Sequence, residues 1–330
     1  MSNLRLSLAC SNNDRTCALF DERVRADGIE LTCLHLPVEE TFFRMLRHRE
    51  FDVAEMSLSS YVLSLFQADP AFIAIPVFPS RMFRHSCIYV NRGRGVRTPR
   101  DLIGKRVGLP EYQLTACVWI RGILADEHDL PIDSVVYATG GLEEPGRPEK
   151  VPLDLPPAIR VEPIGADQTL ASMIARGGID ALYTPRVPST FSTGKDDVTR
   201  LFEDFATVEH DYFRRGGVFP IMHTVVITRG VYDRHPWVAQ SLYKAFRAAQ
   251  QYAYEALGET AALATMLPWL PAHVDEARRV MGDDFWPYGI ERNRHALTTF
   301  LRYSHEQGLA KRRLEPEQLF APETLESFRI

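Results

Sequence analysis

The sequence has no long apolar run, no strongly basic stretch and no clustered cysteines, and each absence excludes a class of protein. No window approaches the roughly 18–20 consecutive apolar residues of a membrane-spanning helix. The net charge of −5 is spread without long runs of one sign, which argues against nucleic-acid binding. The five cysteines are scattered and form no C-x-x-C pair, which is typical of free thiols in a reducing compartment. The sequence therefore predicts a protein that binds neither nucleic acid nor a membrane.

The start of the chain also lacks the features of an export signal. The apolar run Leu4–Ala9 is shorter than the core of a secretory signal, which has about 7–15 residues, and no basic region precedes it. We interpret this run as the first β-strand of a cytoplasmic protein.

Sequence motifs for bound cofactors are missing as well. Residues Asn91–Gly95 lack the third glycine and the strand–turn–helix context of a dinucleotide site. No closely spaced ligand motif such as H-x-H or H-E-x-x-H is present. We therefore expect no cofactor. A divalent ion held by His85, His223 and a carboxylate stays open as the alternative, because imidazole and carboxylate groups both bind such ions.

Strand-like and helix-like segments alternate along most of the chain, which has 330 residues, 45% of them hydrophobic. This length suffices for two lobes with their own cores. The alternation predicts an α/β fold with mainly parallel sheets covered by helices. The predicted strands are Leu4–Ala9, Ile29–His35, Phe51–Met56, Ala71–Val77, Ser86–Val90, Arg106–Leu109, Val135–Ala138, Ile159–Pro163, Ala181–Thr184 and Thr224–Thr228. The predicted helices are Asp14–Phe20, Val38–Arg49, Ser60–Gln67, Thr115–Glu127, Thr169–Ala175, Val238–Leu257, Glu259–Leu267, Val274–Met281 and Glu291–Gly308, with an irregular segment over Gly140–Pro157.

The most informative segment covers residues 105–121, where a strand runs directly into a helix. The strand is followed by a polar turn at Pro110–Gln113, and the helix begins near Leu114. The free backbone N–H groups and the dipole of a helix N-terminus favour a bound anion. Polar side chains at this junction can bind or protonate that anion, namely Glu111, Tyr112, Gln113 and Thr115.

A second junction has the same character. The apolar segment Asp52–Met56 precedes three serines, Ser57, Ser59 and Ser60. We expect one serine to cap the following helix and the others to donate hydrogen bonds to a carboxylate. Two such junctions predict a cleft for a small acid with more than one negative group.

Arginines follow two predicted strands at the ends where open α/β sheets bind ligands. Arg81 and Arg84 come after the strand that ends near Phe78, and Arg186 follows the strand that ends at Thr184. Arginine is the natural bidentate partner of a carboxylate. We interpret Arg81 or Arg84 as a carboxylate clamp and weigh Arg186 similarly, against the alternative that each is an ordinary surface arginine.

His85 and His223 are the predicted acid–base residues, because histidine titrates near neutral pH. His223 falls where the chain is expected to return from one lobe to the other. Glu111 is the alternative acid, since a half-buried carboxyl group can stay protonated. An ordinary glutamate at a helix start is the competing interpretation of Glu111.

Three further residues have two interpretations each. Asp14 either lines the mouth of the site or caps the first helix. Tyr112 and Trp286 either stack on an aromatic ligand or belong to the core.

Longer motifs give the sequence a resemblance to a known family. The segment Asp101–Gly108 (DLIGKRVG) is similar to the start of the second lobe in type II periplasmic-binding-protein folds. More specific strings are FD-x-RV at Phe20–Val24, PVFPSR at Pro76–Arg81, FRH at Phe83–His85, LPEYQLTA at Leu109–Ala116, EEPGR at Glu143–Arg147 and FPIMH at Phe219–His223. Together they resemble the 4,5-dihydroxyphthalate decarboxylase family over nearly the whole chain.

The resemblance implies a two-lobed type II periplasmic-binding-protein-like fold with a helical C-terminal region. It implies that residues 1–92 and 224–330 form lobe one, that residues 93–223 form lobe two, and that the substrate cleft lies between them. The crossovers near Asn91 and His223 would act as hinges. The resemblance also implies a homo-oligomer.

In chemical terms, the resemblance implies a cytoplasmic enzyme that converts 4,5-dihydroxyphthalate, a small aromatic dicarboxylate, to protocatechuate and CO2. The ring carbon must gain a proton and a phenol must lose one, and the phenol supplies the electrons, so no organic cofactor is required. Cationic side chains would hold the carboxylates. Two alternatives stay open: a solute-binding protein without catalysis, and another lyase or isomerase for a small acid.

Overall fold

The computed structural model describes residues 3–194 and 197–325. The strands are β1 (Leu4–Ala9), β2 (Ile29–Leu34), β3 (Val53–Ser57), β4 (Phe72–Ile75), β5 (Ile88–Asn91), β6 (Arg106–Leu109), β7 (Val136–Thr139), β8 (Arg160–Pro163), β9 (Ala181–Tyr183), β10 (Val198–Arg200) and β11 (His223–Thr228). The α-helices are α1 (Cys17–Phe20), α2 (Val38–His48), α3 (Leu58–Ser64), α4 (Thr115–His128), α5 (Leu170–Ala175), α6 (Ser189–Ser192), α7 (Phe205–Gly216), α8 (Arg229–Tyr232), α9 (Trp237–Gly258), α10 (Leu270–Met281) and α11 (Arg294–Glu306). Short 3-10 turns connect several of these elements.

The chain folds into two compact units, and neither unit is one continuous stretch of sequence. Unit 1 comprises Met1–Arg81, Ile221–Leu297 and Leu314–Ile330, whereas unit 2 comprises Met82–Pro220 and Thr298–Arg313. Each unit contains one sheet with helices packed on it, so the predicted α/β class is confirmed.

The sheet of unit 1 has the strand order β2-β1-β3-β11-β4. β1 pairs in parallel with β2 and with β3, whereas β11 pairs antiparallel with both of its neighbours. In the β3–β11 pair, Val225 lies opposite Glu55 and His223 lies opposite Ser57. Since alternate residues of a strand share a face, Glu55, Ser57 and His223 project from the same face of the sheet.

Helix α2 shows why this sequence packs as it does. Phe42 and Met45 are buried, whereas Phe43 and Arg47 on the other side are exposed, as expected for an amphipathic helix. Glutamates lie in its first turn and basic residues in its last turn, which complements the helix dipole. The helix ends at Arg49, which adopts a left-handed conformation with φ 52°.

The sheet of unit 2 has the order β10-β5-β9-β6-β7-β8. Strands β6, β7, β8 and β9 run parallel, and β5 is antiparallel to both of its neighbours. Helix α4 is buried over nearly all of its length, and Trp119 packs against Phe300 and Tyr303 of the C-terminal segment. Gly122 allows this close approach, because a Cβ at that position would lie 2.2 Å from the ring of Tyr303.

Several predicted elements are corrected by the structure. The sheets are mixed, because β11 and β5 are inserted antiparallel among parallel strands. Residues 259–267, predicted as a helix, form only bends and extended segments. Strand β10 and helix α7 were not predicted, although α7 carries a capping signal in which Asp204 accepts the Thr207 N–H. The irregular segment 140–157 contains neither helix nor strand, as predicted.

The boundaries of the units differ from those of the predicted lobes. The chain passes into unit 2 at Met82 and returns to unit 1 at Ile221. Strand β5 belongs to unit 2 because it pairs with β9 and β10, whereas the sequence placed residues 82–92 in lobe one. Residues 298–313 also belong to unit 2, since Phe300 and Tyr303 pack on Trp119.

Within residues 3–194 and 197–325, no helix combines the length and the apolar character that crossing a membrane requires.

Candidate functional site

A histidine–carboxylate pair lies at the end of β3 in unit 1. His223 Nδ1 and Glu55 Oε1 are 2.6 Å apart, a short hydrogen bond between neighbouring antiparallel strands. The His223 ring packs edge-on against Phe42, with 4.8 Å between the ring centroids. This contact and the hydrogen bond hold the imidazole in one orientation, with Nε2 directed away from the carboxylate.

Glu55 is a buried carboxylate with partners for both oxygens. The residue is 1% exposed, and its Oε2 accepts the Ser11 backbone N–H at 2.8 Å. Burial raises the pKa of this carboxyl group, but the hydrogen bonds from His223 and Ser11 outweigh it and hold the pKa below its usual value. Hydrogen bonds to the charged form explain this direction. Glu55 is therefore ionised at neutral pH and can stabilise a positively charged His223.

The three predicted serines, Ser57, Ser59 and Ser60, are all buried in unit 1. Ser57 is the N-terminal neighbour of α3, but its side chain makes no capping hydrogen bond, so the predicted cap is absent. Ser57 shares its face of the sheet with Glu55 and His223. The roles of Ser57 and Ser59 in binding an anion remain predictions.

Arg81 is buried in unit 1 and binds groups of the chain itself. Its Nη2 donates to the Pro287 carbonyl at 2.7 Å and to Asn293 Oδ1, and its guanidinium lies over the ring of Phe78. Burial lowers the pKa of Arg81 to about 9. These contacts tie the segment around Pro287 to the end of the sheet. The predicted clamp on a substrate carboxylate stays a prediction.

Asp14 and Trp286 both contact Arg15. Asp14 is half-exposed and pairs with Arg15 Nη1 at 2.6 Å, and Thr16 rather than Asp14 precedes α1 as its N-cap residue. Trp286 donates from Nε1 to the Phe78 carbonyl at 2.8 Å, and the Arg15 guanidinium lies 4.5 Å from its ring centroid. One interpretation of Asp14, the helix cap, is therefore wrong.

Unit 2 contains a second polar cluster at the junction between β6 and α4. Glu111 is fully buried and pairs with Arg147 Nη2 at 2.6 Å and with Lys150 Nζ at 3.1 Å. Gln113 Nε2 donates to the same carboxylate at 3.2 Å. Glu111 therefore anchors the irregular segment that carries its two cationic partners. Its predicted role as the catalytic acid is not tested by this geometry.

A second glutamate, Glu149, lies at the start of α4. Its Oε1 accepts the backbone N–H of Tyr112, and the carboxylate also accepts the backbone N–H of Gln113, at the junction where the sequence predicts a bound anion. Burial, helped by the nearby charge of Glu111, raises the pKa of Glu149 to about 7 although these hydrogen bonds oppose the shift. A carboxylate of the protein itself thus lies at this junction, and the binding of a ligand anion there stays a prediction.

Arg121 extends the same cluster from within α4. It is 2% exposed, donates from Nη2 to the Tyr112 carbonyl at 2.6 Å and from Nε to Gln307 Oε1 at 2.8 Å. Its guanidinium lies 3.9 Å from the ring centroid of Tyr112. One face of the Tyr112 ring is therefore covered by Arg121, and the Tyr112 hydroxyl donates to the Gln307 carbonyl at 3.1 Å. This supports the core interpretation of Tyr112.

His85, the other predicted acid–base residue, is enclosed in unit 2. It is 2% exposed, packs against the rings of Phe202 and Tyr212, and has its Nδ1 3.8 Å from Glu209 Oε1. Burial lowers the pKa of His85 to about 4, and burial raises the pKa of Glu209 to about 7. The two groups are therefore mostly neutral together near pH 6.

The remaining predicted residues lie at several places in unit 2. Arg84 is buried and directs Nη1 to Met82 Sδ and Cys87 Sγ. Arg186 is exposed after β9 and donates its backbone N–H to Thr184 Oγ1. Thr115 is buried as the first residue of α4. Arg84 belongs to unit 2, whereas Arg81 belongs to unit 1.

No metal centre is formed by the part of the chain that the structure describes. Among residues 3–194 and 197–325, no three His, Cys, Asp or Glu side chains are grouped so that they could hold an ion. His85 and His223, the two ligands considered from sequence, lie in different units, where each has its own glutamate neighbour.

Sequence reasoning missed Glu55, Arg121, Glu149 and Glu209. A signal existed for two of them, because Glu55 and Arg121 are charged residues within runs that are otherwise apolar. A charge on a fully buried element requires a partner. Glu149 and Glu209 lie in polar segments, where nothing distinguishes them from exposed glutamates.

The fold places the chain among proteins of the periplasmic-binding-protein type. The periplasmic aliphatic sulphonate binding protein SsuA from Escherichia coli aligns with a TM-score of 0.54 and 13% identity, over 98% of this chain and 99% of that chain. Protein AF1704 from Archaeoglobus fulgidus aligns with a TM-score of 0.51 over 92% of this chain. At such low identity these likenesses concern the fold alone. No family model matches the sequence.

Sequence comparison is more specific. A 4,5-dihydroxyphthalate decarboxylase from Comamonas testosteroni is 42% identical over 330 residues, which covers 100% of both chains. A protein of the same name from Pseudomonas putida is 43% identical over 214 residues, 65% of this chain and 83% of the relative. The chain belongs to the 4,5-dihydroxyphthalate decarboxylase family, a family of carbon–carbon lyases, and the resemblance stated from motifs is confirmed.

Proposed function

We propose that this protein removes one carboxyl group of 4,5-dihydroxyphthalate as CO2 and releases protocatechuate. The observation that carries the proposal is the 42% identity with a 4,5-dihydroxyphthalate decarboxylase over the full length of both chains. An α/β fold of this type hosts both binding proteins and enzymes, so the fold by itself does not supply the function.

The reaction balances without an external oxidant or reductant. The bond between the ring carbon and the carboxylate carbon breaks, CO2 leaves without the bonding electron pair, and the ring carbon gains a proton. A hydroxyl group para to that carbon loses its proton beforehand, which raises the electron density at the carbon. The protein must therefore move one proton from oxygen and deliver one to carbon, and the phenolate oxygen that remains after CO2 has left takes up one proton from solvent.

We assign the proton transfers to His223, supported by Glu55. The hydrogen bond between Nδ1 and the Glu55 carboxylate favours the tautomer in which Nε2 is the acceptor. Nε2 can then accept the phenolic proton, and the buried negative charge of Glu55 stabilises the resulting imidazolium. The same group can return the proton to the ring carbon. This is the role that a carboxylate plays beside a catalytic histidine in other enzymes.

We retain three arginines as proposed contacts of the two substrate carboxylates, namely Arg81, Arg84 and Arg186. Arg186 is exposed, whereas Arg81 and Arg84 are buried and already contact other groups of the chain. A carboxylate that leaves as CO2 is best held loosely, because full neutralisation would oppose its departure.

We further propose a cytoplasmic location and a homo-oligomeric state. Five free cysteines support the first, since free thiols are usual in reducing compartments. Exposed apolar side chains between α9 and α10 support the second, namely Leu263, Met266, Leu267 and Trp269. Measuring the mass in solution for the native chain and for Trp269→Ser tests the oligomer.

The first experiment is to measure CO2 release from 4,5-dihydroxyphthalate with chelator-treated and untreated protein. Release in both samples supports the proposal without a required metal, and release that a divalent ion restores supports it with one. Phthalate is the matched control, because it has no hydroxyl group to lose a proton and should release no CO2. Tight binding of 4,5-dihydroxyphthalate without release in either sample would contradict the proposal and favour a binding protein.

A further inference from the structure

The carboxylate of Glu149 occupies the anion position at the start of α4. Its Oε1 accepts the backbone N–H of Tyr112, and the carboxylate also accepts the backbone N–H of Gln113; both residues precede the first turn of this 14-residue helix. Backbone N–H groups at a helix N-terminus bind carboxylates and phosphates of ligands as readily as those of the chain. The geometry is therefore that of an anion site whose present occupant is internal.

Arg121 supplies an independent sign that a ligand belongs here. Its residue is 2% exposed, and its Nη1 has no hydrogen-bond partner among residues 3–194 and 197–325. Nη2 of the same guanidinium donates to the Tyr112 carbonyl, so the group lies against the turn that binds Glu149. Within those same ranges, the hydroxyl of Tyr183, a residue 1% exposed, is likewise without a partner. Buried donors normally have partners, and a carboxylate would satisfy them.

Glu149 is held less firmly than its position suggests. Its buried Oε2 finds no hydrogen-bond partner in the described part of the chain. The residue lies in segment 140–157, which contains neither helix nor strand. Burial raises the pKa of Glu149 to about 7, so at neutral pH a large share of molecules carries a neutral group at this anion position.

The surrounding charges favour an additional anion. Three cations of the cluster, Arg121, Arg147 and Lys150, accompany two carboxylates, those of Glu111 and Glu149. The ionised side chain of Glu149 therefore leaves an excess of one positive charge, and its protonation leaves two. Three elements contribute titratable and charged groups to this cluster: α4, the turn before it and segment 140–157. The groups are those of Glu111, Tyr112, Cys117, Arg121, Arg147 and Lys150.

We propose that the backbone N–H groups of Tyr112 and Gln113, together with Arg121, form a binding site for a carboxylate of a small aromatic acid, and that Glu149 is an internal competitor which this ligand displaces. The inference takes from the proposed function only the class of ligand. It concerns unit 2 by itself and explains why a carboxylate with a raised pKa lies on an irregular segment.

The competition has a quantitative consequence. Because burial destabilises the ionised form of Glu149 at this position, the ionised side chain is displaced into water more readily than the neutral one. The pKa of Glu149 is about 7 in the free protein, and displacement returns the carboxyl group to an ordinary pKa, so ligand binding releases a proton and affinity for a ligand carboxylate rises as the pH rises through about 7. Between about pH 6.5 and about pH 8.5 the dissociation constant should decrease about fourfold, because ordinary carboxylic acids of the ligand stay ionised over this range.

The test uses phthalate, which carries two carboxylates and no hydroxyl group, as a non-reacting probe of the full-length protein. Its dissociation constant is measured by calorimetry at both pH values for the native chain, Glu149→Gln and Glu144→Gln. Glu144 is an exposed residue of the same segment and serves as the matched control. We expect Glu149→Gln to bind about equally at both pH values, because its amide has no proton to release, whereas the native chain binds about fourfold more tightly at high pH. Glu144→Gln should behave as the native chain.

Arg121→Lys provides a second variant, because it keeps the charge and loses the planar pair of donors. We expect phthalate binding about fivefold weaker or more at low pH, with the thermal transition retained. A pH dependence of the native size retained in Glu149→Gln would overturn the competition, and unchanged binding in Arg121→Lys would overturn the site.

The failure of this inference can be told from the failure of the proposed function. Suppose that the native chain releases CO2 from 4,5-dihydroxyphthalate and that Glu149→Gln binds phthalate as the native chain does. This result contradicts the inference alone. A native chain that releases no CO2 contradicts the proposed function, and the pH dependence of phthalate binding then still decides whether Glu149 competes.

Discussion

The pair of His223 with Glu55 in unit 1 and the pair of His85 with Glu209 in unit 2 differ in distance, in hydrogen bonding and in the charge that each environment favours. The first pair is joined at 2.6 Å, and its carboxyl pKa is held low. The second pair is 3.8 Å apart, and burial lowers the histidine pKa to about 4 and raises the glutamate pKa to about 7. Both histidines are equivalent candidates from sequence, so the contact with an ionised carboxylate is what favours His223 over His85 as the proposed acid–base residue.

The largest expected effect is that of His223→Ala. General acid–base catalysis contributes about 10²–10⁴-fold, so kcat for CO2 release should fall within that range. Initial rates of CO2 release at saturating 4,5-dihydroxyphthalate measure kcat. The control is His48→Ala, because His48 is an exposed histidine of the same unit. Native turnover by His223→Ala would remove His223 from the mechanism.

Glu55→Gln tests whether the carboxylate is what distinguishes the first pair. The amide keeps the shape of the side chain but loses the negative charge that stabilises an imidazolium, and kcat should fall about 10–100-fold. The pH–rate profile should also shift, because the buried charge no longer acts on His223. Glu30→Gln, at an exposed glutamate of β2, should match the native profile. A Glu55→Gln profile identical to the native one would mean that Glu55 only supports the fold.

Glu209→Gln tests the second pair through stability. Folding raises the pKa of the Glu209 carboxyl group to about 7 from an ordinary 4.5. Such a group lowers the free energy of unfolding once the pH exceeds the ordinary pKa. The cost is complete above pH 7, so the variant should be more stable than the native chain by up to about 3 kcal/mol at pH 8. Near pH 4 the two proteins should unfold alike, and denaturant titrations at both pH values measure the difference. Equal stabilities at pH 8 would show that Glu209 titrates normally.

The smallest effect is expected for His85→Asn on catalysis. Because His85 is enclosed by aromatic rings, the change should alter kcat by less than about threefold, while the loss of packing lowers the melting temperature. Thermal scans and CO2 assays on the same sample separate the two readouts. A large fall in kcat at unchanged melting temperature would instead support the sequence-based assignment of His85.

Local patterns were sufficient to predict most of the fold. Strands such as β1 and β6 are recovered residue for residue, because apolar content and turn residues define them locally. The helix expected over residues 259–267 failed for a physical reason. Its alanines and leucines favour a helix, but Leu263 and Met266 are exposed, and a short helix without a buried face is not stable in water.

The site was harder to predict than the fold, because its pairs are distant in sequence. Glu55 and His223 meet only because β11 is inserted antiparallel beside β3, a pairing that no local pattern specifies. Motif resemblance singled out His223 but not its partner. At the start of α4 the sequence could not reveal that the carboxylate of Glu149 binds the turn, since this contact depends on the path of an irregular segment.

The late return of the chain to both units has a consequence for synthesis on the ribosome. Unit 1 lacks an interior strand of its sheet until β11 emerges. Unit 2 is also incomplete until nearly the whole chain has been made, because Phe300 and Tyr303 cover Trp119 and Gln307 binds Arg121. A nascent chain of 220 residues therefore exposes two unfinished cores at once. The exposed apolar surface of such a nascent chain must be kept from contact with other proteins during translation. We therefore expect chaperones to bind ribosome-bound fragments that end before residue 298, and to release the chain once the final segment has been made.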